Sequence, residues 1–204
     1  NKITPNEAAL DDYAELARSL GKYATYVAIN LSSPNTEGLR SLETVEFITD
    51  VVRTVRSITA KPILVKISPD SPPEHIIEAG HAVVDAGGAG IIATNTTRDF
   101  ALVSGSKLSG GISGLALRRS SRSALRLLSG ELYNRIKIIS VGGIDSAEEA
   151  YYRILNGASL VQVYTALIFE GPNIANKISR DLASILRRNG YEKVEHAIGA
   201  GLNR

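Results

Sequence analysis

The 204-residue chain is long enough for one ordinary domain, and its 44% hydrophobic content is sufficient for a sizeable core. Its 23 basic and 21 acidic side chains nearly cancel, and no basic block occurs, so nucleic acid is excluded as an expected partner. Cysteine is absent, which excludes disulfides and a thiolate nucleophile within the chain, and three scattered histidines do not indicate a metal site. Methionine is absent even at position 1, so we expect the chain to be part of a longer polypeptide.

Five short runs of β-branched and other apolar residues predict the strands. Each run is apolar on both faces, which is typical of a parallel sheet that is covered on both sides. The predicted strands are Tyr26–Leu31, Pro62–Ile67, Gly90–Thr94, Ile136–Val141 and Ser159–Tyr164.

Between these strands, apolar residues recur with a period of about 3.6, which predicts helices. The predicted helices are Asp11–Gly21, one beginning near Ser41, one capped by Ser71 and ending near Asp85, Leu117–Asn134, one with a capping box of Ser146 and Glu149, and one from Ile174 to Gly190. Alternating strands and helices indicate βαβ units on a parallel sheet. The order fits either a doubly wound sheet or most of a (β/α)₈ TIM barrel, which typically needs ~250 residues.

Polar or glycine-rich sequence follows every predicted strand, and this favours the barrel, because the carboxyl ends of barrel strands build the active site. One polar strand end is common in any protein, but five of them indicate a shared pocket. The polar strand ends contain Asn30, Ser32, Ser33, Asn35, Lys66, Thr94, Asn95, Thr96, Gly142, Gly143, Tyr164 and Thr165.

Two features within this set indicate the kind of ligand. The glycine pair of "SVGGID" permits close approach of an anionic oxygen, and "GASLVQVYTAL" follows it, so the two segments together predict a phosphate-bearing ligand. Lys66 lies in an otherwise apolar strand, where burial is costly without a partner. It is interpreted either as half of an inter-strand ion pair or as a fixed cation beside developing negative charge.

Several sequence blocks also resemble one known family. The blocks "NLSSPNTEGLRSL", "PILVKISPD", "IIATNTT", "GGISGLALR", "SVGGIDSAEEA" and "GASLVQVYTAL" together resemble the class 2, quinone-linked dihydroorotate dehydrogenases. The resemblance implies a (β/α)₈ barrel that binds FMN, oxidises dihydroorotate to orotate in pyrimidine (UMP) biosynthesis, and passes electrons to a quinone. The class 1 relatives use a cysteine base in the equivalent loop, whereas this chain has serine there and no cysteine at all.

The resemblance implies roles for twelve residues of this chain. Ser33 is expected to be the base that removes the C5 proton, and Thr36 is expected to help carry that proton away. The residues expected to contact the substrate are Asn30, Asn35, Asn95 and Thr96. The residues expected to contact FMN are Asn30, Lys66, Thr94, Gly114, Gly143, Tyr164 and Thr165. Ser32 is expected to be structural, and no metal is expected.

The resemblance further implies that residues 1–204 are a single domain, the C-terminal part of a barrel whose first three strands are absent from this chain. In the family, N-terminal helices that are also absent here form the quinone tunnel and associate peripherally with the bacterial or mitochondrial inner membrane. We therefore expect this chain alone to be soluble, to expose two sheet edges and to lack activity. The segment near Ser106 and Lys107 is shorter than expected, which leaves the lid over the flavin in question.

Two alternatives remain open from the sequence. Another FMN-binding barrel oxidoreductase that acts on dihydropyrimidines would have similar strand ends. An inactive fragment that serves only as a structural or partner-binding element would keep the same fold.

Overall fold

The computed structural model describes residues 4–33, 42–103 and 109–202 of the chain. Five strands form one sheet in which every neighbouring pair is parallel. The strands are β1 (Val27–Asn30), β2 (Ile63–Ile67), β3 (Gly90–Ala93), β4 (Lys137–Val141) and β5 (Leu160–Gln162). Each lies within a predicted run, so all five predicted strands are confirmed.

The strands are arranged in the sheet in their chain order, β1-β2-β3-β4-β5. A doubly wound sheet reverses its strand order at a switch point, whereas a barrel adds each new strand to the same side. The order of this sheet therefore decides between the two architectures that the sequence leaves open, and it favours the barrel.

Eight helices occur in the described part of the chain. They are α1 (Ala9–Leu20), α2 (Val45–Ile58), α3 (Pro73–Asp85), α4 (Arg118–Leu132), α5 (Ala147–Leu155), α6 (Thr165–Glu170), α7 (Ile174–Arg188) and α8 (Val194–Ala197). The short helices α6 and α8 were not predicted, because neither is long enough to show a helical period. None of the helices in the described ranges has the length and hydrophobicity needed to cross a bilayer.

One predicted helix start and one predicted helix cap are wrong. Helix α2 begins at Val45 and not near Ser41, because the Thr44 side chain caps it by accepting a hydrogen bond from the Phe47 amide at 3.2 Å. Helix α3 has Pro72 at its N-cap position without a side-chain hydrogen bond, so Ser71 does not cap it. The fixed backbone angle of Pro73 suits the first turn and begins this helix instead.

The capping box predicted for α5 is half formed. The Ser146 side chain accepts a hydrogen bond from the Glu149 amide at 3.3 Å, as expected. The Glu149 carboxylate, however, does not return to the Ser146 backbone and binds arginine side chains instead. A capping pattern in the sequence cannot reveal such a competing partner.

The sheet has two apolar faces of different size. Side chains such as Val65, Ile91 and Ile138 face the helices and belong to the main core, which also includes apolar residues of α2, α3 and α4. Successive strand residues point to opposite faces, and a smaller cluster of Leu64, Ile92, Ile139 and Val141 lies on the other face. That inner face would be the interior of a barrel.

The two outer strands of the sheet are β1 and β5, each of which has a single neighbour among the described residues. Large apolar side chains next to these strands are exposed, including Tyr26 (47%), Leu160 (60%) and Tyr164 (71%). The equivalent inner-face residues of β2, β3 and β4 are buried. The exposed sheet edges expected from the sequence are therefore present.

Leu128 of α4 should be a strong stability determinant, because it is fully buried and lies against Gly80 of α3. We expect Leu128→Ala to lower the free energy of unfolding by about 2–5 kcal/mol, since it leaves a cavity between the helices. Leu16→Ala, at a position that is 54% exposed, is the control. It should change the free energy of unfolding by no more than about 0.5 kcal/mol. Urea denaturation followed by circular dichroism measures both, and equal losses would contradict this packing.

Candidate functional site

A cavity of about 670 Å³ lies at the carboxyl ends of the strands, within the size range of small-molecule pockets. Ten of the twelve residues predicted for the site line it. They are Asn30, Ser33, Lys66, Thr94, Asn95, Thr96, Gly114, Gly143, Tyr164 and Thr165. The other two, Asn35 and Thr36, lie outside the described residues. The structure therefore brings all the described members of the predicted set to one place.

Carboxamide and hydroxyl groups connect the ends of β1 and β3. The Asn95 Nδ2 donates hydrogen bonds to Asn30 Oδ1 at 3.0 Å and to Ser32 Oγ at 3.2 Å. Ser32 is fully buried, and its hydroxyl donates to the Lys66 carbonyl at 2.9 Å, which ties β1 to β2. Asn95 therefore fixes the orientation of the Asn30 amide, and the Ser32 hydroxyl links the end of β1 to β2 and to Asn95.

Lys66 lies on the inner face of β2, between Asn30 of β1 and Ile92 of β3 in the sheet register. Burial disfavours its charged form and lowers the pKa of the Lys66 ammonium from its ordinary value. Desolvation is the only cause of this shift, and no carboxylate of the described residues forms an ion pair with Lys66. The ion-pair interpretation thus finds no partner in this part of the chain, and a partly desolvated cation faces the cavity.

The loop after β3 is held by an acidic side chain from the loop after β2. Asp70 accepts hydrogen bonds from the Thr97 hydroxyl and, at 2.8 Å, from the Arg98 amide. Thr97 also pairs with Ile112 in an isolated antiparallel bridge. These contacts fix the backbone that places Thr94 and Thr96 at the cavity.

The glycine pair after β4 has a packing reason that the sequence does not show. Gly142 and Gly143 have φ angles of +115° and +71°, which L side chains rarely adopt. A Cβ at Gly142 would lie 2.9 Å from Leu117 Cδ2, and one at Gly143 would lie 2.6 Å from Arg118 Cβ. The start of α4 occupies the side where side chains would project, so the cavity meets bare backbone.

The amide groups of this glycine pair have no hydrogen-bond partner within the described ranges. Both glycines are buried, and neither amide donates a hydrogen bond to any acceptor among the described residues. Buried backbone donors are almost always paired. Two such donors at a cavity indicate that a ligand with hydrogen-bond acceptors binds there, and an anion fits them best.

Two further lining residues of the cavity, Gly114 and Thr165, lie close to each other. Gly114 has a φ of +74°, and a Cβ on it would lie 3.1 Å from Thr165 Cγ2. The Thr165 hydroxyl donates a hydrogen bond to Ser113 Oγ at 2.8 Å. Any side chain larger than glycine at position 114 would disturb this contact and narrow the cavity.

Sequence reasoning missed a buried group of charged residues behind the glycine pair. Glu149 receives hydrogen bonds from Arg153 Nε at 2.6 Å and from Arg122, and Arg153 is fully buried. Burial opposes ionisation of Glu149, but the hydrogen bonds from Arg122 and Arg153 outweigh it and hold the pKa of the Glu149 carboxyl below its ordinary value. The (i, i+4) spacing of Glu149 and Arg153 was the available signal.

Several further lining residues were also missed, among them Ser113, Asp145 and Gln162. The signal for Gln162 was its position two residues before Tyr164, since alternate residues of a strand share a face. For metals, the described residues contain no group of three or more side chains that could hold an ion.

Comparisons with known proteins identify relatives of this chain. A family model described as "Dihydroorotate dehydrogenase" matches residues 2–186. The dihydroorotate dehydrogenase (quinone) of Sulfurovum sp. (strain NBC37-1) is 48% identical over 200 residues, which are 98% of this chain and 56% of that protein. The protein of the same name from Nautilia profundicola is 48% identical over 199 residues, covering 98% of this chain and 55% of that protein.

A solved structure shows the same fold. The ligand-free dihydroorotate dehydrogenase (DHODH) of Eimeria tenella aligns with a TM-score of 0.92 and 33% identity, covering 100% of this chain and 63% of that one. These matches confirm the resemblance seen in the sequence and the prediction of part of a TIM barrel. The chain spans a little more than half the length of the curated relatives that it matches.

Glu149→Gln should destabilise the protein by about 3–5 kcal/mol at neutral pH, because Arg153 would then be a buried charge without a counterion. A carboxyl with a lowered pKa stabilises the fold above its unfolded pKa, and this contribution is lost as the pH falls through the folded pKa. The difference between the variant and the unsubstituted protein should therefore shrink below about pH 5.

Urea denaturation at a series of pH values measures this difference. Glu148→Gln, at the exposed neighbouring position, is the matched control and should show little effect. A difference for Glu149→Gln that does not change with pH would contradict an ionised Glu149 in the fold.

Proposed function

This chain belongs to the dihydroorotate dehydrogenase family, and we propose that it forms the C-terminal part of an FMN-dependent enzyme that oxidises dihydroorotate to orotate. The observation that carries the proposal is the convergence of Ser33, Lys66, Asn95 and Gly143 on one cavity. These four residues come from the ends of four different strands. The names of the curated relatives support pyrimidine biosynthesis as the process and a quinone as the electron acceptor.

The residues present fit FMN. The amides of Gly142 and Gly143, which have no acceptor among the described residues, offer donors for a phosphate group, and Tyr164 and Thr165 line the same cavity. Lys66 offers a cation for the flavin ring, and Thr94 and Gly114 also line the cavity. When bound, FMN supplies the ring that accepts the hydride from C6 of dihydroorotate.

Ser33 is proposed as the base that removes the C5 proton of the substrate. A serine hydroxyl is a weak base in water, so the reaction needs a pocket with little water and a path for the proton. Ser33 lies on the cavity wall and is partly buried, which is consistent with this requirement. Thr36 is proposed to relay the proton, by its resemblance to the family pattern.

Lys66 is proposed to stabilise negative charge that develops on the bound flavin. The position of Lys66 in a rigid central strand limits its movement, and its lowered pKa shows that water solvates its charge poorly. A cation in such an environment interacts strongly with an approaching anion, because less water screens the two charges.

The carboxamides are proposed to orient the pyrimidine ring. Asn30, Asn95 and Thr96 line the cavity and can donate or accept hydrogen bonds without adding charge. Because Asn95 Nδ2 already binds Asn30 Oδ1, the Asn30 carbonyl oxygen is occupied and its Nδ2 is the group best placed for a ligand. Asn35 is proposed as a further contact on the basis of the family resemblance.

Quinone reduction and peripheral membrane association are proposed to depend on polypeptide outside these 204 residues. The described sheet ends at an outer strand on each side, β1 and β5, and the relatives that are named as quinone enzymes are longer than this chain, which covers 56% and 55% of two of them. The proposed location is the cytoplasmic face of a bacterial inner membrane or the mitochondrial inner membrane.

The test uses the protein as its natural gene encodes it. We expect a yellow preparation whose flavin absorbance is bleached anaerobically by dihydroorotate. Ser33→Ala should still bind FMN and orotate but should be reduced about 10²–10⁴-fold more slowly near neutral pH, because the proton acceptor is lost. Stopped-flow absorbance measures the rate, with the exposed Ser57→Ala as control.

A colourless protein that stays inert with dihydroorotate would overturn the proposed function. Equal reduction rates for Ser33→Ala and Ser57→Ala would remove Ser33 from the role of base while leaving the rest of the proposal in place. Bleaching by dihydrouracil in preference to dihydroorotate would indicate a dihydropyrimidine substrate instead.

Lys66→Met should lower the reduction potential of the bound flavin without lowering the stability of the fold. Because burial lowers the pKa of Lys66, its charge is a cost to the fold at neutral pH, and this cost is relieved only as the pH rises through the folded pKa. The flavin-free variant should therefore be at least as stable as the unsubstituted protein, while its bound flavin should have a lower reduction potential.

Thermal unfolding of the flavin-free protein and redox titration of the FMN-bound protein measure these two effects. Lys61→Met, at the exposed position just before β2, is the matched control. If the reduction potential of the bound flavin is unchanged and the flavin-free variant unfolds at a lower temperature, Lys66 has a structural role.

A further inference from the structure

We propose that Arg153 and Arg118 are positioning residues that hold the two peptide groups after Gly142 and Gly143 with the amides of Gly143 and Ile144 toward the cavity, ready for a phosphate group. The inference deepens the proposed function and rests on it, because the phosphate in question is that of FMN. Neither arginine belongs to the site predicted from the sequence, and Arg153 does not line the cavity.

Arg153 binds the first glycine carbonyl from behind. Its side chain is fully buried, and its Nη2 donates to the Gly142 carbonyl at 2.8 Å and to Ser121 Oγ at 2.9 Å. The Ser121 hydroxyl in turn donates to the same carbonyl at 2.7 Å. Two donors from different helices thus converge on one oxygen.

Arg118 binds the second glycine carbonyl. Its Nε donates to the Gly143 carbonyl at 2.7 Å, and its Nη2 donates to Asp145 Oδ1 at 2.6 Å. Both carbonyl oxygens of the glycine pair therefore lie against guanidinium groups, while neither amide has an acceptor among the described residues. The two peptide groups whose oxygens face the arginines carry the amides of Gly143 and Ile144 at their other ends. The Gly142 amide belongs to the preceding peptide group, whose Val141 carbonyl accepts a hydrogen bond from the Thr94 amide at 3.0 Å.

This orientation needs support because glycine restricts its backbone weakly. Rotation of the peptide group between Gly142 and Gly143 would turn a carbonyl oxygen toward a bound anion, and the two would repel each other. The Arg153 guanidinium opposes that rotation, since it would lose its charge-assisted hydrogen bond to the Gly142 carbonyl. Arg118 opposes in the same way a rotation of the next peptide group, between Gly143 and Ile144. A cation at the oxygen end also polarises the peptide group and makes its N–H a stronger donor.

Arg153 is itself held rigidly. Its Nε donates to Glu149 at 2.6 Å and its Nη1 to Ser140 Oγ at 2.9 Å, so α5 and β4 fix the guanidinium plane. Glu149 also pairs with Arg122. Replacing a buried ion pair by apolar residues often costs no stability, which makes retention of these charges beside a ligand cavity consistent with a positioning role.

The test compares binding of FMN and of riboflavin, which lacks the phosphate, by fluorescence quenching with the protein as its natural gene encodes it. The variants are Arg153→Met and Arg118→Met, and the matched control is Arg126→Met at an exposed position of the same helix α4. We expect each test variant to weaken FMN binding at least tenfold while riboflavin affinity changes less than twofold. The control should change neither affinity.

Arg118→Met keeps the inference testable if Arg153→Met fails to fold, because the Arg118 side chain is 30% exposed and its loss should be tolerated. A second readout needs no flavin. Hydrogen exchange measured by NMR should change at the Gly143 amide in Arg153→Met and at the Ile144 amide in Arg118→Met. It should change at neither amide in Arg126→Met, while amides of β2 stay protected.

The outcomes are distinct. If FMN and riboflavin affinities fall in parallel, or if neither falls, the positioning role is overturned and the arginines serve only the fold. If the unsubstituted protein binds FMN no more tightly than riboflavin, the proposed phosphate site fails. In that case unchanged hydrogen exchange at the Gly143 and Ile144 amides would overturn the positioning role as well, and altered exchange at these amides would support it.

Discussion

Hydrogen bonds between parallel strands pair Asn30 with Lys66 and Lys66 with Ile92, and this register decides which side chains reach the cavity. Because all five strands are parallel and arranged in chain order, their carboxyl ends meet at one end of the sheet. Residues that are far apart in sequence therefore share a pocket without any long loop to carry them there. A shift of one residue in β2 would turn Lys66 toward the helices.

Two kinds of polar contact hold the groups at the carboxyl ends of these strands. Around β1 and β3, neutral amides and hydroxyls bind one another, as in the contacts of Asn95 with Asn30 and Ser32. Behind β4, charged groups bind backbone carbonyls, as Arg153 does at Gly142. The first arrangement presents directional groups of low charge, which suits a ring with polar edges. The second leaves backbone donors at the cavity, which suits an anion.

The sequence predicted strands more accurately than helix starts, and the reason is physical. A strand such as β3 is a continuous apolar run that is buried on both faces, so its sequence alone indicates a strand of a covered parallel sheet. A helix start depends on which polar side chain reaches an orphan amide. Helix α2 begins at Val45 with Thr44 as its cap, and α3 begins at Pro73 without the expected side-chain cap from Ser71. Such local competition among neighbouring polar residues is decided by the surrounding structure.

By itself, the sequence determined the five strands, the barrel family and the residue types at the strand ends, because apolar runs and short motifs are local features. Only the tertiary structure decided that Lys66 has no counterion among the described residues, and that Glu149 binds arginines instead of completing a capping box. It also showed Arg118 holding Gly143, 25 positions away. The burial of a side chain and its hydrogen-bond partners depend on residues that are distant in the chain, so a local sequence pattern does not specify them.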